Sequence, residues 1–207
     1  MNGIEKPQYS YRPSRCLLLS NLSKEHDQKE LLKEMNSFGT IIEIIDNLQL
    51  NETIQIIYND IRDAINARNQ MDGRLINDKR ILIEFSVPLY KRISKRGKLL
   101  NGNMMLYCKG NQKEKSIKQI ISMCKSMGEI YNIWGSENCE MMFVEYYQLT
   151  DQVKAMQEIP QHSIEDISFH CQPITYSPHQ TDLLLYPLQE KDMSHSIYFG
   201  KQKDLSI

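Results

Sequence analysis

Apolar positions along this chain keep two rhythms in turn, and the turns come in a fixed order. "CLLLSNL" (16–22) is a short apolar run closed by a polar turn, which predicts a strand. In "EHDQKELLKEMNSFG" (25–39) Leu31, Leu32, Met35 and Phe38 share one face of a helix that Gly39 stops. "TIIEIID" (40–46) and "TIQIIY" (53–58) return to period two, the second with Ile54, Ile56 and Tyr58 on one side and Thr53, Gln55 and Ile57 on the other. "DIRDAINARNQMDG" (60–73) is a helix with Ile61, Ala64, Ile65, Arg68 and Met71 on its stripe, Asp60 as N-cap and Gly73 beyond its end. "KRILIEFSV" (79–87) is a fourth strand, stopped by Pro88.

The same order then recurs. "NMMLYCKG" (103–110) is a strand, and "EKSIKQIISMCKSMG" (114–128) is a helix burying Ile117, Ile120, Ile121, Cys124 and Met127. "EIYNIW" (129–134) and "EMMFVEYY" (140–147) are strands, "LTDQVKAMQEI" (149–159) is a helix with Val153, Met156 and Ile159 on one side, and "DISFHCQPITY" (166–176) is the last strand. The offset between copies, about 86–88 residues, fits two small α+β domains in tandem rather than a solenoid. Strand, helix, strand, strand, helix, strand is the ferredoxin-like βαββαβ plan, a four-stranded antiparallel sheet backed by two helices. The expected division is an arm over 1–14, domains over 15–88 and 104–176, a connector over 89–103 and a tail over 177–207.

Composition narrows the picture. With 41% apolar and 25% charged residues, the chain has the balance of folded, soluble domains. No apolar run reaches membrane-span length and the N-terminus lacks the core of a secretory signal, so an intracellular site, nuclear or cytoplasmic, is expected, with no membrane partner. Five cysteines with no C-x-x-C pair suggest reduced, buried thiols rather than disulfides or zinc. The net charge of −1 hides a segregation: residues 89–103 carry five cations and no anion, whereas 1–88 carry 11 against 13 and 104–176 carry six against nine. That cluster is the first electrostatic candidate for a phosphate backbone.

"YNDIRDAINARNQMDG" (58–73), "LIEFSVP" (82–88) and "FVEYYQLTDQVKAM" (143–156) carry a family resemblance. Residues 15–176 resemble a tandem pair of RNA-recognition motifs (RRMs), and in particular the first two RRMs of the Mei-two-like RNA-binding family. The resemblance implies two RRM folds and single-stranded RNA as partner. Members of that family carry a third, C-terminal RRM important for RNA binding, for which the tail is too short.

An RRM stacks bases on aromatics of its two central strands, and its third-strand octamer runs K/R-G-F/Y-G/A-F-V-x-F/Y with the third and fifth positions toward RNA. In the first domain the octamer reads "NETIQIIY" (51–58), so Glu52 stands at the glycine and Thr53 and Gln55 at the stacking places, with Leu18 where the first strand would be aromatic. Each lost stack is worth about 1–3 kcal/mol. This face, with Leu18, Ser20, Ile57, Leu82 and Glu84, reads as a protein-docking surface. In the second domain "CEMMFVEY" (139–146) places Met141 and Phe143 at the stacking positions, and the first strand adds Met105 and Tyr107. Tyr131 or Trp134 is a further platform if it points outward. Lys109 and the connector cations Lys91, Arg92, Lys95, Arg96 and Lys98 complete the candidate RNA surface, against which Glu140 and Glu145 count.

The tail holds "DLLLYPL" (182–188), whose Leu183, Leu184, Leu185 and Tyr186 are too apolar to leave free and so dock on an RRM or a partner. Catalytic motifs are absent: no G-x-x-x-x-G-K, G-x-S-x-G or H-E-x-x-H occurs. Adjacent His170 and Cys171 lie in a strand and face opposite ways, which argues against joint metal ligation. The chain is therefore expected to be a non-enzymatic RNA-binding protein without cofactor or metal, contacting RNA mainly through the second RRM and the connector. The competing reading is a scaffold subunit of a ribonucleoprotein that uses degenerate RRMs to hold proteins.

Overall fold

The computed structural model describes residues 8–9, 13–22, 28–48, 52–76, 78–87, 102–110, 114–136, 138–174 and 186–187. The chain divides into two compact units, Met1–Gly97 and Lys98–Ile207. The connector cations and Leu183, Leu184 and Leu185 lie outside the described residues.

The first unit contains β1 (Gln8–Tyr9), β2 (Cys16–Ser20), α1 (Gln28–Ser37), β3 (Ile41–Asn47), β4 (Thr53–Tyr58), α2 (Ile61–Met71), a small hairpin of β5 (Leu75–Ile76) and β6 (Lys79–Arg80), and β7 (Leu82–Val87). Its sheet is antiparallel in the order β1-β7-β2-β4-β3. Leu17 and Leu19 on β2, with Ile54, Ile56 and Tyr58 on β4, face the helices and join Leu31, Met35, Ala64, Ala67 and Met71 in the core. Alternation thus gave the correct face for every residue of β4. Asp60 caps α2 as expected, accepting from the Arg62 N–H at 2.8 Å. The run expected as one strand over 79–87 is instead two: Asp78 turns the chain with φ of 61°, Lys79 and Arg80 pair back on β5, and β7 starts at Leu82.

The second unit repeats the plan with β8 (Asn103–Lys109), α3 (Glu114–Met127), β9 (Ile130–Gly135), β10 (Met141–Tyr146), α4 (Leu149–Glu158) with a 3-10 turn at Ile159–Gln161, β11 (Ser163–Ile164), β12 (Ile167–Pro173) and β13 (Tyr186–Pro187). The sheet order is β11-β12-β8-β10-β9-β13. Met104, Leu106 and Cys108 on β8 and Met142, Val144 and Tyr146 on β10 meet Ile117, Ile120, Ile121 and Cys124 of α3. On α4 the buried positions are Leu149, Gln152 and Ala155; Val153 and Met156, expected on the stripe, are only half-buried. Gln152 replaces an apolar residue because both ends of its amide are used: Oε1 accepts from the Gly102 N–H at 2.8 Å and Nε2 donates to the Asn103 carbonyl at 2.6 Å.

The repeat is visible in matched tethers as well as in element order. The buried hydroxyl of Tyr58 donates to the Met35 carbonyl at 2.7 Å, and that of Tyr146 to the Cys124 carbonyl at 3.0 Å, so each third strand is tied to the last turns of the first helix behind it. Gly39 and Gly128 close those helices directly against Asp63 and Asp151, and a Cβ at either glycine would overlap the aspartate side chain. Burial, aided by the neighbouring Asp60 charge, raises the Asp63 carboxyl above its ordinary value.

Candidate nucleic-acid interface

Cross-strand pairing fixes which side chains occupy the face away from the helices. On the second sheet one line across the strands reads Gln172, Met105, Phe143, Trp134, each directly opposite the next. The adjoining line reads His170, Tyr107, Met141. Since paired residues share a face, and Met142, Val144 and Tyr146 take the helix side, Phe143, Met141, Met105, Tyr107 and Trp134 all take the other. The expected stacking set is thus brought together on one surface, and Trp134 joins it.

Exposure departs from expectation. Tyr107, Met141 and Trp134 are half-buried and Lys109 is exposed, but Phe143 has 0% and Met105 2% of its surface accessible. The expectation that these two present an open platform is corrected: they stand on the platform's face but are covered. Alternation specifies a face and is silent about what lies over it. His170, opposite Tyr107 on β12, adds a ring to this face that the octamer pattern does not include. It is exposed and its ring centroid lies 6.0 Å from that of Tyr107, tilted by 33°, so the pair offers an open imidazole beside a phenol. The alternation with buried Ile167 and Phe169 was the available signal. Cys171 points the other way, toward the helix-side core. Tyr131 meets Tyr147 edge-on at 5.2 Å. Asn132 donates to Glu145 at 2.9 Å, which occupies one carboxylate oxygen on this face.

On the first sheet the corresponding line is Glu84, Leu18, Gln55, Ile45, without an aromatic. Leu18 (1%), Ile57 (4%) and Gln55 (0%) are buried, so the expected open docking surface is corrected here too; of its apolar members only Leu82 is exposed. Gln55 donates to the Ser86 hydroxyl at 2.9 Å, while its own oxygen has no hydrogen-bond partner. Cys16 beside it is buried, which pushes its thiol up to about 12. Glu52, at the octamer's glycine position, holds φ of 56°, the left-handed conformation that favours glycine there. Among the described residues no cluster of His, Cys, Asp and Glu is arranged to hold a metal, and no helix is long and apolar enough to cross a membrane.

Residues 17–82, the first βαββαβ unit, match the family model of the RNA recognition motif. The second unit repeats the order of elements, and the chain has the α+β plan of RRM proteins and resembles the MEI2-like family. It is 28% identical to Protein MEI2-like 4 of Oryza sativa subsp. japonica over 90 residues, 42% of this chain and 9% of that protein. It is 28% identical over 80 residues to Protein MEI2-like 3 of Arabidopsis thaliana, covering 39% of this chain and 10% of that protein. The chain thus spans about a tenth of the length of these curated relatives. Among solved structures the C. elegans NONO-1 homodimer is similar at 14% identity and a TM-score of 0.38, covering 87% of this chain and 70% of that one.

Proposed function

We propose that this chain is a non-enzymatic, single-stranded RNA-binding protein whose second RRM makes the base contacts, with the connector cations contacting phosphates alongside. The observation that carries the reading is the asymmetry between the two sheets. The second gathers His170, Tyr107, Met141, Phe143 and Trp134 on the face away from its helices, whereas the corresponding line across the central strands of the first, Glu84, Leu18, Gln55 and Ile45, has no aromatic residue. Aromatic faces accept any base, so such a surface favours stacking with little sequence preference. Lys109 is exposed at the end of β8, where a phosphate passing along the strand would meet it.

The first sheet supports a different role within the same reading. Its central residues are aliphatic or amide, and they are buried, which favours a structural or protein-holding part for the first RRM.

The test is a fluorescence-anisotropy titration of the full chain with short random-sequence single-stranded RNA at low and moderate salt. Tyr107→Ala, at a half-exposed stacking position, is expected to weaken binding by about 5–100-fold, the equivalent of one lost stack. Replacing Lys91, Arg92, Lys95, Arg96 and Lys98 by Gln is expected to flatten the salt dependence. Affinity indifferent to both changes would remove the assignment.

A further inference from the structure

Phe143 and Met105 are fully covered on the sheet face away from the helices, and the register shows which strand extends their row. The line Gln172, Met105, Phe143, Trp134 continues by one more strand: Pro187 of β13 pairs with Trp134, and Tyr186 with Gly135. Along this line Gln172 is exposed at the β12 end, Met105 and Phe143 are buried, and Trp134, beside β13, is half-buried. The covered row and the tail strand are therefore continuous. The tail also has the chemistry to lie there, because β13 sits inside the apolar run over 182–188, and aliphatic and aromatic side chains gain about 25 cal/mol per Å2 by leaving water against a Met, Phe and Trp surface.

We infer that the C-terminal tail docks on the outer face of the second sheet, anchored through β13, and that RNA and tail compete for the Met105–Phe143–Trp134 row. The competition rests on the RNA-binding reading above; the docking does not. β-Strand addition supplies a backbone ladder, but β13 is two residues long, and Pro187 has no N–H to give. Tyr186 brings the sole backbone donor of that strand. An anchor this slight is suited to release when a better ligand for the row arrives.

Trp134 is the only tryptophan of the chain, so its fluorescence reports on the row without a label. In the full-length chain Tyr186→Pro removes the last ladder donor of β13. The expected result is a twofold or greater rise in acrylamide quenching of Trp134, with the circular dichroism spectrum kept. A synthetic peptide of residues 180–190, added in trans to the variant, is expected to restore the protection. Tyr186→Asp, which leaves the donor but opposes apolar docking, is the second variant and should act in the same direction. RNA affinity should rise severalfold in both. Quenching unchanged in both variants overturns the docking, whatever RNA does. Quenching that rises without any gain in RNA affinity upholds the docking and overturns the competition, and Tyr107→Ala then decides separately whether the face binds RNA at all.

Discussion

Tyr146→Phe removes one oxygen atom and leaves the ring that fills the core. In the folded second unit the hydroxyl is buried and donates to the Cys124 carbonyl at 3.0 Å, near the C-terminal end of α3. A net hydrogen bond contributes about 1 kcal/mol, and a buried carbonyl that loses its partner adds desolvation of similar size, so a loss of about 1–2 kcal/mol is expected. For a domain of this size each kcal/mol lowers Tm by about 4–8 °C. The first unit provides an internal control, because Tyr58→Phe breaks the same tether to Met35, there at 2.7 Å. Each variant should shift only the transition of its own unit, read by urea unfolding of the full chain with Trp134 fluorescence reporting the second unit and far-ultraviolet circular dichroism reporting both. A change below about 0.3 kcal/mol in both variants would refute the view that these hydroxyls fasten strand to helix.

Gly39→Ala and Gly128→Ala force a Cβ into Asp63 and Asp151 respectively, and overpacking of this kind should cost about 1–3 kcal/mol each by chemical denaturation. Asp60→Ala should lower stability by about 1 kcal/mol through loss of its cap on α2; Gln148, which caps α4 without a side-chain bond, should gain a few tenths or more on Gln148→Asp. Burial pushes the thiols of Cys16, Cys108 and Cys171 up to about 12 and that of Cys139 to about 11, so above about pH 9 the unfolded chain releases protons that the folded chain keeps. Stability is therefore full at neutral pH and falls as pH rises from about 9 through 12, which urea titrations at several pH values under reducing conditions will measure.

The element order, the two copies and the face taken by each strand residue were legible because alternation and helical spacing are imposed locally by backbone geometry. Tyr58 and Tyr146 fell on the core side as the octamer pattern required, and Asp60 capped its helix. What escaped the reading has a common cause. The pairing of Gln8–Tyr9 and Tyr186–Pro187 with sheet edges depends on chain segments far away in sequence, and a two-residue strand has no period to detect. Gln152 was invisible for a related reason: a polar residue enters a core only when its partners are known, and those partners lie 49 and 50 residues upstream. Ala67, buried on α2 where Arg68 had been placed on the stripe, shows the smaller error of one position that a short helix permits.

Three of the long strands at sheet margins carry a neighbour: β7 has β1, β12 has β11 and β9 has β13, but among the described residues β3 has none on its outer side, and Ile42 and Ile44 are exposed by 52% and 40%. No lysine or proline within Ile41–Asn47 blunts that margin. Concentrated stocks will stick there first, rib to rib, and a single Ile44→Lys should keep them monodisperse by light scattering where the parent sequence clumps.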